Sequence, residues 1–238
     1  MDEKTLIPDS TKTFSDLSLA GISGSNVVFV EGRTGDEYRD DGIYLFNGST
    51  VSRVADYSTP IPDGTGQFTP FVASDPDHYG DRSFGFGLGP RSISGANVVF
   101  RGSGSNWQQG IYLFDGSTLS RVADLTTAIP GGTGNFTHFE TPQVSGGNVV
   151  FAASGSAGQG GIYLFDGTTL SRVADTNTPI PDSTASFQYV NSYQVSGDSL
   201  VFFGYWADGK NGQGIYLATL PSARVDNAAV LDITTDGW

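Results

Sequence analysis

Cysteine is absent from the 238 residues, which removes disulfides, thiolate metal sites and cysteine nucleophiles and leaves the redox compartment open. Basic residues are scarce: 12 Lys and Arg stand against 25 Asp and Glu, for a formal net charge of −13. Nucleic acid, whose phosphates need Lys and Arg, is thereby excluded as a partner, and an anionic membrane surface is disfavoured. No apolar run approaches the roughly 18–20 residues of a membrane span, so membrane insertion is not expected. The opening MDEKTLIPDS shows neither a basic n-region nor an apolar h-region, and no secretion signal is read there. Sustained i, i+3, i+4, i+7 apolar spacing is also missing, which argues against long helices.

Catalytic motifs are missing as well. There is no G-x-S-x-G elbow and no H-E-x-x-H spacing, and the glycines precede no helix that would aim N–H groups at phosphate. Histidine occurs only twice, as His78 and His138. Carboxylates from separate loops, such as Glu37 or Glu140 with Asp75 or Asp208, are the remaining route to glycosidase chemistry. Spacing gives that route no support, and the chain is not read as an enzyme.

What the sequence does have is glycine, 33 residues of it, between short runs of Val, Ile, Phe, Tyr and Leu. That mixture defines an all-β chain. GIYLFNGSTVSRVAD (42–56), GIYLFDGSTLSRVAD (110–124) and GIYLFDGTTLSRVAD (161–175) are near copies, and GIYLATLPSARVDN (214–227) is a divergent fourth. The leading glycines lie 68, 51 and 53 residues apart, a period in the range of propeller repeats. Each unit reads as four strands, with a tight turn such as SGGN between the first and second. Asn47-Gly48, Asp115-Gly116 and Asp166-Gly167 mark hairpins between the third and fourth.

Four antiparallel strands per repeat make one blade, and stacked blades bury one another's faces. The expected fold is therefore a β-propeller of four four-stranded antiparallel blades, about 10–56, 62–124, 130–175 and 181–226, within a repeat domain 1–227. Residues 228–238 form a tail outside the repeat. Because TLIPDSTKTF at the start matches the linkers STPIPDGTGQF and NTPIPDSTASF, the ring is expected to close within the chain without strand exchange. An open arc completed by a second chain is the alternative, so a monomer or small homo-oligomer is expected.

These strings, GIYLFDGSTLSRVAD followed by TAIPGGTGNF, resemble the tandem repeats of secreted bacterial proteins, frequent in cyanobacteria, many of which carry a PEP-CTERM-type sorting tail. The resemblance spans about Thr5 to Asn227. It implies a propeller-like fold and an extracellular or cell-surface setting, and it implies no chemistry. This chain departs from it in showing no signal peptide and no PEP tail.

Differences between the repeats separate frame from candidate site. Arg53, Arg121, Arg172 and Arg224 recur with Asp56, Asp124, Asp175 and Asp226, and are read as outer-strand ion pairs rather than as a ligand ring. The connections between second and third strands vary instead, and variable loops on a rigid frame are where binding resides. Trp107 with Gln108 and Gln109, and Tyr205 and Trp206 with Asp208, Lys210 and Asn211, set aromatic planes beside hydrogen-bonding groups, an arrangement that suits sugar rings. Asp16, Pro70, His138 and Tyr189 occupy one equivalent position near the start of each inner strand, which points to an asymmetric pocket. The expected ligand-binding residues are Asp16, His78, Trp107, His138, Tyr189, Trp206 and Asp208. The insertion SDPDHYGDRSFGFGLGP (74–90) places Asp75, Asp77 and Asp81 around Gly80, hard oxygens of the kind Ca²⁺ takes. Its spacing departs from a calcium loop, and a self-packed lid held by Phe84, Phe86 and Leu88 is the preferred reading, so no cofactor is called for. The function expected is a non-catalytic, surface-associated binding module, carbohydrate being the ligand class favoured, with a purely structural propeller as the alternative.

Overall fold

The computed structural model describes residues 5–15, 17–32, 42–69, 86–89, 91–181, 184–207, 211–220 and 233–234. Among them there is no α-helix, only one short 3-10 turn, and the strands form four antiparallel sheets. The chain divides into two compact units, Met1–Asp124 and Leu125–Trp238.

In the first unit, β1 (Leu17–Ser23), β2 (Asn26–Glu31), β3 (Gly42–Phe46) and β4 (Val51–Asp56) pair in chain order. The next sheet contains β5 (Phe86–Gly87), β6 (Ile93–Ser94), β7 (Asn97–Ser103), β8 (Gln109–Phe114) and β9 (Leu119–Asp124), with β5 and β6 both pairing with β7. The second unit repeats the plan. β10 (Phe136–Phe139) and β11 (Gln143–Ser145) share β12 (Asn148–Gly155), followed by β13 (Gly160–Phe165) and β14 (Leu170–Asp175). Its other sheet runs β15 (Tyr189–Ser196), β16 (Ser199–Ala207), β17 (Asn211–Thr219) and β18 (Ile233–Thr234). The middle two sheets thus have five strands rather than the four expected, a short extra strand (β5 or β10) pairing with the second strand beside β6 or β11.

The turns follow from local chemistry. Gly24, Gly95, Gly146 and Gly197 have φ of +60°, +61°, +59° and +57°, and each opens a two-residue hairpin loop of the kind that takes glycine first. The DG hairpin is a four-residue loop. The N–H groups of Ser117 and Thr118 and the Ser117 hydroxyl all donate to Asp115 Oδ1. The Thr118 N–H and then the Ser117 donors hold the Asp115 carboxyl below the usual carboxylate range.

Every repeat buries the same aromatic trio. A Phe from the linker meets the strand-three Tyr edge-on, as Phe14–Tyr44, Phe68–Tyr112, Phe136–Tyr163 and Phe187–Tyr216, with ring centroids 4.8–5.0 Å apart. A strand-two Phe stacks on that Tyr, as Phe29, Phe100, Phe151 and Phe202, at 5.5–5.9 Å. Both geometries are favoured by the ring quadrupoles. The IP-x-x-x linkers close into small loops: Ile7, Ile61, Ile129 and Ile180 are buried and their N–H groups donate to Lys12, Gly66, Gly134 and Ala185 carbonyls.

The recurring arginines clamp these loops. Arg121 pairs with Asp124 at 2.7 Å and donates to the Asp63 carbonyl, while Arg172 pairs with Asp175 at 3.1 Å and donates to the Gly131 carbonyl. Arg53 does the same with Asp56 and the Pro8 carbonyl. Asp56 and Asp175 also accept from the next linker, through Ser58 N–H and Thr59 hydroxyl, and Asn177 N–H and Thr178 hydroxyl. One carboxylate therefore ties the outer strand to the loop on each side of it, and these arginines are occupied.

Candidate functional site

In the β7–β8 connection the backbone loops from Gly104, whose N–H donates to the Gln108 carbonyl at 2.9 Å. The Gln108 amide then staples this loop to the neighbouring linker. Its Nε2 donates to Thr65 O at 2.9 Å and Thr65 Oγ1 at 3.1 Å, and its Oε1 accepts from Thr65 N–H. The β12–β13 connection is built alike: the Gly155 N–H donates to the Gln159 carbonyl, and Gln159 Oε1 accepts from Thr133 N–H at 3.0 Å. A glutamine two residues before the glycine that leads GIYLF (Gly110, Gly161) is the signal for this staple. Gln108, expected beside Trp107 as a hydrogen-bonding partner for a ligand, is thus bound to Thr65 of the linker.

The matching loops read Gly104-Ser105-Asn106-Trp107-Gln108 and Gly155-Ser156-Ala157-Gly158-Gln159. Gly158 has φ +74° and Trp107 has φ +61°. The loop therefore demands a left-handed residue, which glycine adopts freely and a bulky side chain adopts at a cost. Trp107 is nonetheless there and 74 % exposed. A loop anchored by Gln108 holds an aromatic ring in solvent at a position where the sister repeat uses glycine.

The other expected residues fare differently. Trp206, on β16, is half-buried. It faces Gly212 across the hairpin so closely that a Cβ there would lie 2.4 Å from the indole, and it meets Tyr216 edge-on at 6.3 Å. Its ring is part of the fourth sheet's packing. Tyr189 opens β15, is 52 % exposed and accepts a hydrogen bond from Asn191 Nδ2 at 3.0 Å. His138 is half-buried on β10 opposite Ser154. Trp107 belongs to the first unit, and His138, Tyr189 and Trp206 to the second. Asp16, His78, Asp208 and the aspartates Asp75, Asp77 and Asp81 lie outside the described residues, as do Pro70 and Glu37. Among the described residues no three His, Asp or Glu side chains are grouped to hold a metal, and no helix is long and apolar enough to cross a membrane.

Sheets, linkers and loops together define an all-β repeat protein made of four antiparallel sheets. Residues 91–224 match the model of a family of unknown function (DUF7453), more than half of the chain, and the protein belongs to that family. No curated protein matches it.

Proposed function

We propose that the protein is a non-catalytic, extracellular or surface-associated binding module. The four sheets are read as blades of a propeller, and the connections between second and third strands as its ligand-contacting surface. The observation that carries this reading is Trp107, held exposed at φ +61° where the equivalent Gly158 would serve the fold better. Backbone strain retained at an exposed aromatic points to a role outside stability. A flat exposed indole on a stapled loop suits the CH face of a sugar ring, with little conformational entropy lost on contact.

The test is a glycan array with soluble polysaccharides as a second format, run on the whole chain and on Trp107→Gly. The wild type binds a carbohydrate, and Trp107→Gly loses most of that binding while melting at the same or a higher temperature. No binding by the wild type, or undiminished binding by the variant, overturns the reading. Trp206→Ala is expected to lower the melting temperature, since its ring covers Gly212. A second reading, a propeller that serves assembly, is favoured by a separate observation: apolar side chains exposed on the first and last sheets.

A further inference from the structure

The apolar faces at the two ends of the repeat series match faces that are buried inside each unit. In the first unit, Ile43 and Leu45 of β3 are 0 % and 4 % exposed, in one cluster with Phe86, Ile93, Val98 and Phe100 of the following sheet. In the second unit, Ile162 and Leu164 of β13 are both 0 % exposed, in one cluster with Val190, Val195, Leu200 and Phe202 of the following sheet. The rule is the same twice: the strand-three Ile and Leu of one repeat pack on the inner-strand face of the next.

Ile215 and Leu217 are the fourth repeat's copies of that Ile and Leu, and they are 75 % and 44 % exposed. Aligned on Phe14 and Phe187, Leu17 and Ile22 are the first repeat's copies of Val190 and Val195. Val190 and Val195 are 5 % and 2 % exposed, whereas Leu17 and Ile22 are 42 % and 67 % exposed, and Leu19 between them is 74 % exposed. Cross-strand register puts Leu17, Leu19 and Ile22 on one face, opposite Glu31, Phe29 and Val27 of β2. The last sheet, within the second unit, thus presents the donor half of the recurring interface as exposed side chains, and the first sheet, within the first unit, presents the acceptor half.

We propose that the occupant of each face is a second copy of this chain: Ile215 and Leu217 of one copy pack on Leu17, Leu19 and Ile22 of another. The fit argued for is that of the two sheet-on-sheet interfaces already present, continued across copies. Because the junction joins two different surfaces, it closes into a ring of copies or runs on as a fibre.

The test uses the whole chain and two surface variants, Leu19→Lys and Ile215→Lys, each shown to keep the wild-type circular dichroism spectrum. Light scattering after size exclusion is expected to give an oligomer for the wild type and a monomer for each variant. Mixing the two variants restores a one-to-one dimer, because Leu19→Lys keeps an intact Ile215 face and Ile215→Lys keeps an intact Leu19 face. A monomeric wild type overturns the proposal, as does an oligomer that survives either substitution. Failure of the mixed variants to associate overturns it too, since the intact Ile215 face of one would then not take the intact Leu19 face of the other.

Discussion

Trp107 and Tyr163 are two aromatic residues that the fold holds at a cost, one outside and one inside. Relieving the left-handed backbone at Trp107 with glycine is expected to stabilise the chain by about 1 kcal/mol, read as a higher melting temperature. Tyr163 is fully buried, and its hydroxyl has no hydrogen-bond partner among the described residues. Tyr163→Phe removes that hydroxyl and leaves the ring stack with Phe136 and Phe151 in place. It is expected to be neutral or stabilising by up to about 1 kcal/mol. Burial first, and the nearby Asp175 carboxylate second, push the Tyr163 phenol up to about 12, and Tyr112 is pushed up to about 12 by burial and Asp124. Folding therefore favours the protonated phenols. Their contribution is complete below the unfolded value of about 10 and is lost as pH rises towards the folded value. Melting temperature should fall steeply as pH rises from 10 to 12, with less of a fall in Tyr163→Phe. A flat profile there would show that these phenols ionise without unfolding the protein.

At the scale of the element, the leading glycine of GIYLF carries a prediction with its own control. The outer strand shifts register opposite Ile43-Tyr44, Ile111-Tyr112 and Ile162-Tyr163, which brings its backbone against that glycine. A Cβ on Gly161 would sit 2.8 Å from the Ala174 carbonyl oxygen and 2.7 Å from Asp175 Cβ, whereas on Gly214 its nearest contact is the Tyr216 hydroxyl at 3.1 Å. Gly161→Ala should cost about 1–3 kcal/mol through overpacking, and Gly214→Ala clearly less, measured by urea unfolding. Equal costs would mean that the glycine is kept for some other reason. Strands and the tight turns at Gly24, Gly95, Gly146 and Gly197 were legible in the sequence because each depends on local pattern, whereas the aromatic trio was not, because its rings come from the linker, the second strand and the third strand. The reason for the leading glycine was not, because the clash comes from a register shift that no strand pattern encodes. The site divides likewise. Trp107 stands out once GSNWQ is laid over GSAGQ, but whether Trp206 faces solvent depends on Gly212 across the β16–β17 hairpin. That is a matter of hairpin length, which the repeat does not preserve.

For the whole molecule, charge and apolar surface pull in opposite directions. The net charge of −13 repels other copies of the chain, and two copies brought together repel along their whole surfaces. The end faces proposed to join them are apolar, with Leu17, Leu19, Ile22, Ile215 and Leu217 exposed on them. Burying such side chains is favourable and insensitive to simple screening, while the repulsion fades once the Debye length drops to about 10 Å near 0.1 M salt. Association through these faces should therefore strengthen as salt is raised, and further in sulfate, which favours apolar burial. An interface held by ion pairs would weaken under the same change. Sedimentation at a fixed protein concentration, in low salt and then in sodium chloride and sodium sulfate, reads the sign directly. A shift towards larger species with salt is the expected result. A shift towards monomer would assign the junction to charged groups and remove the end faces as its source.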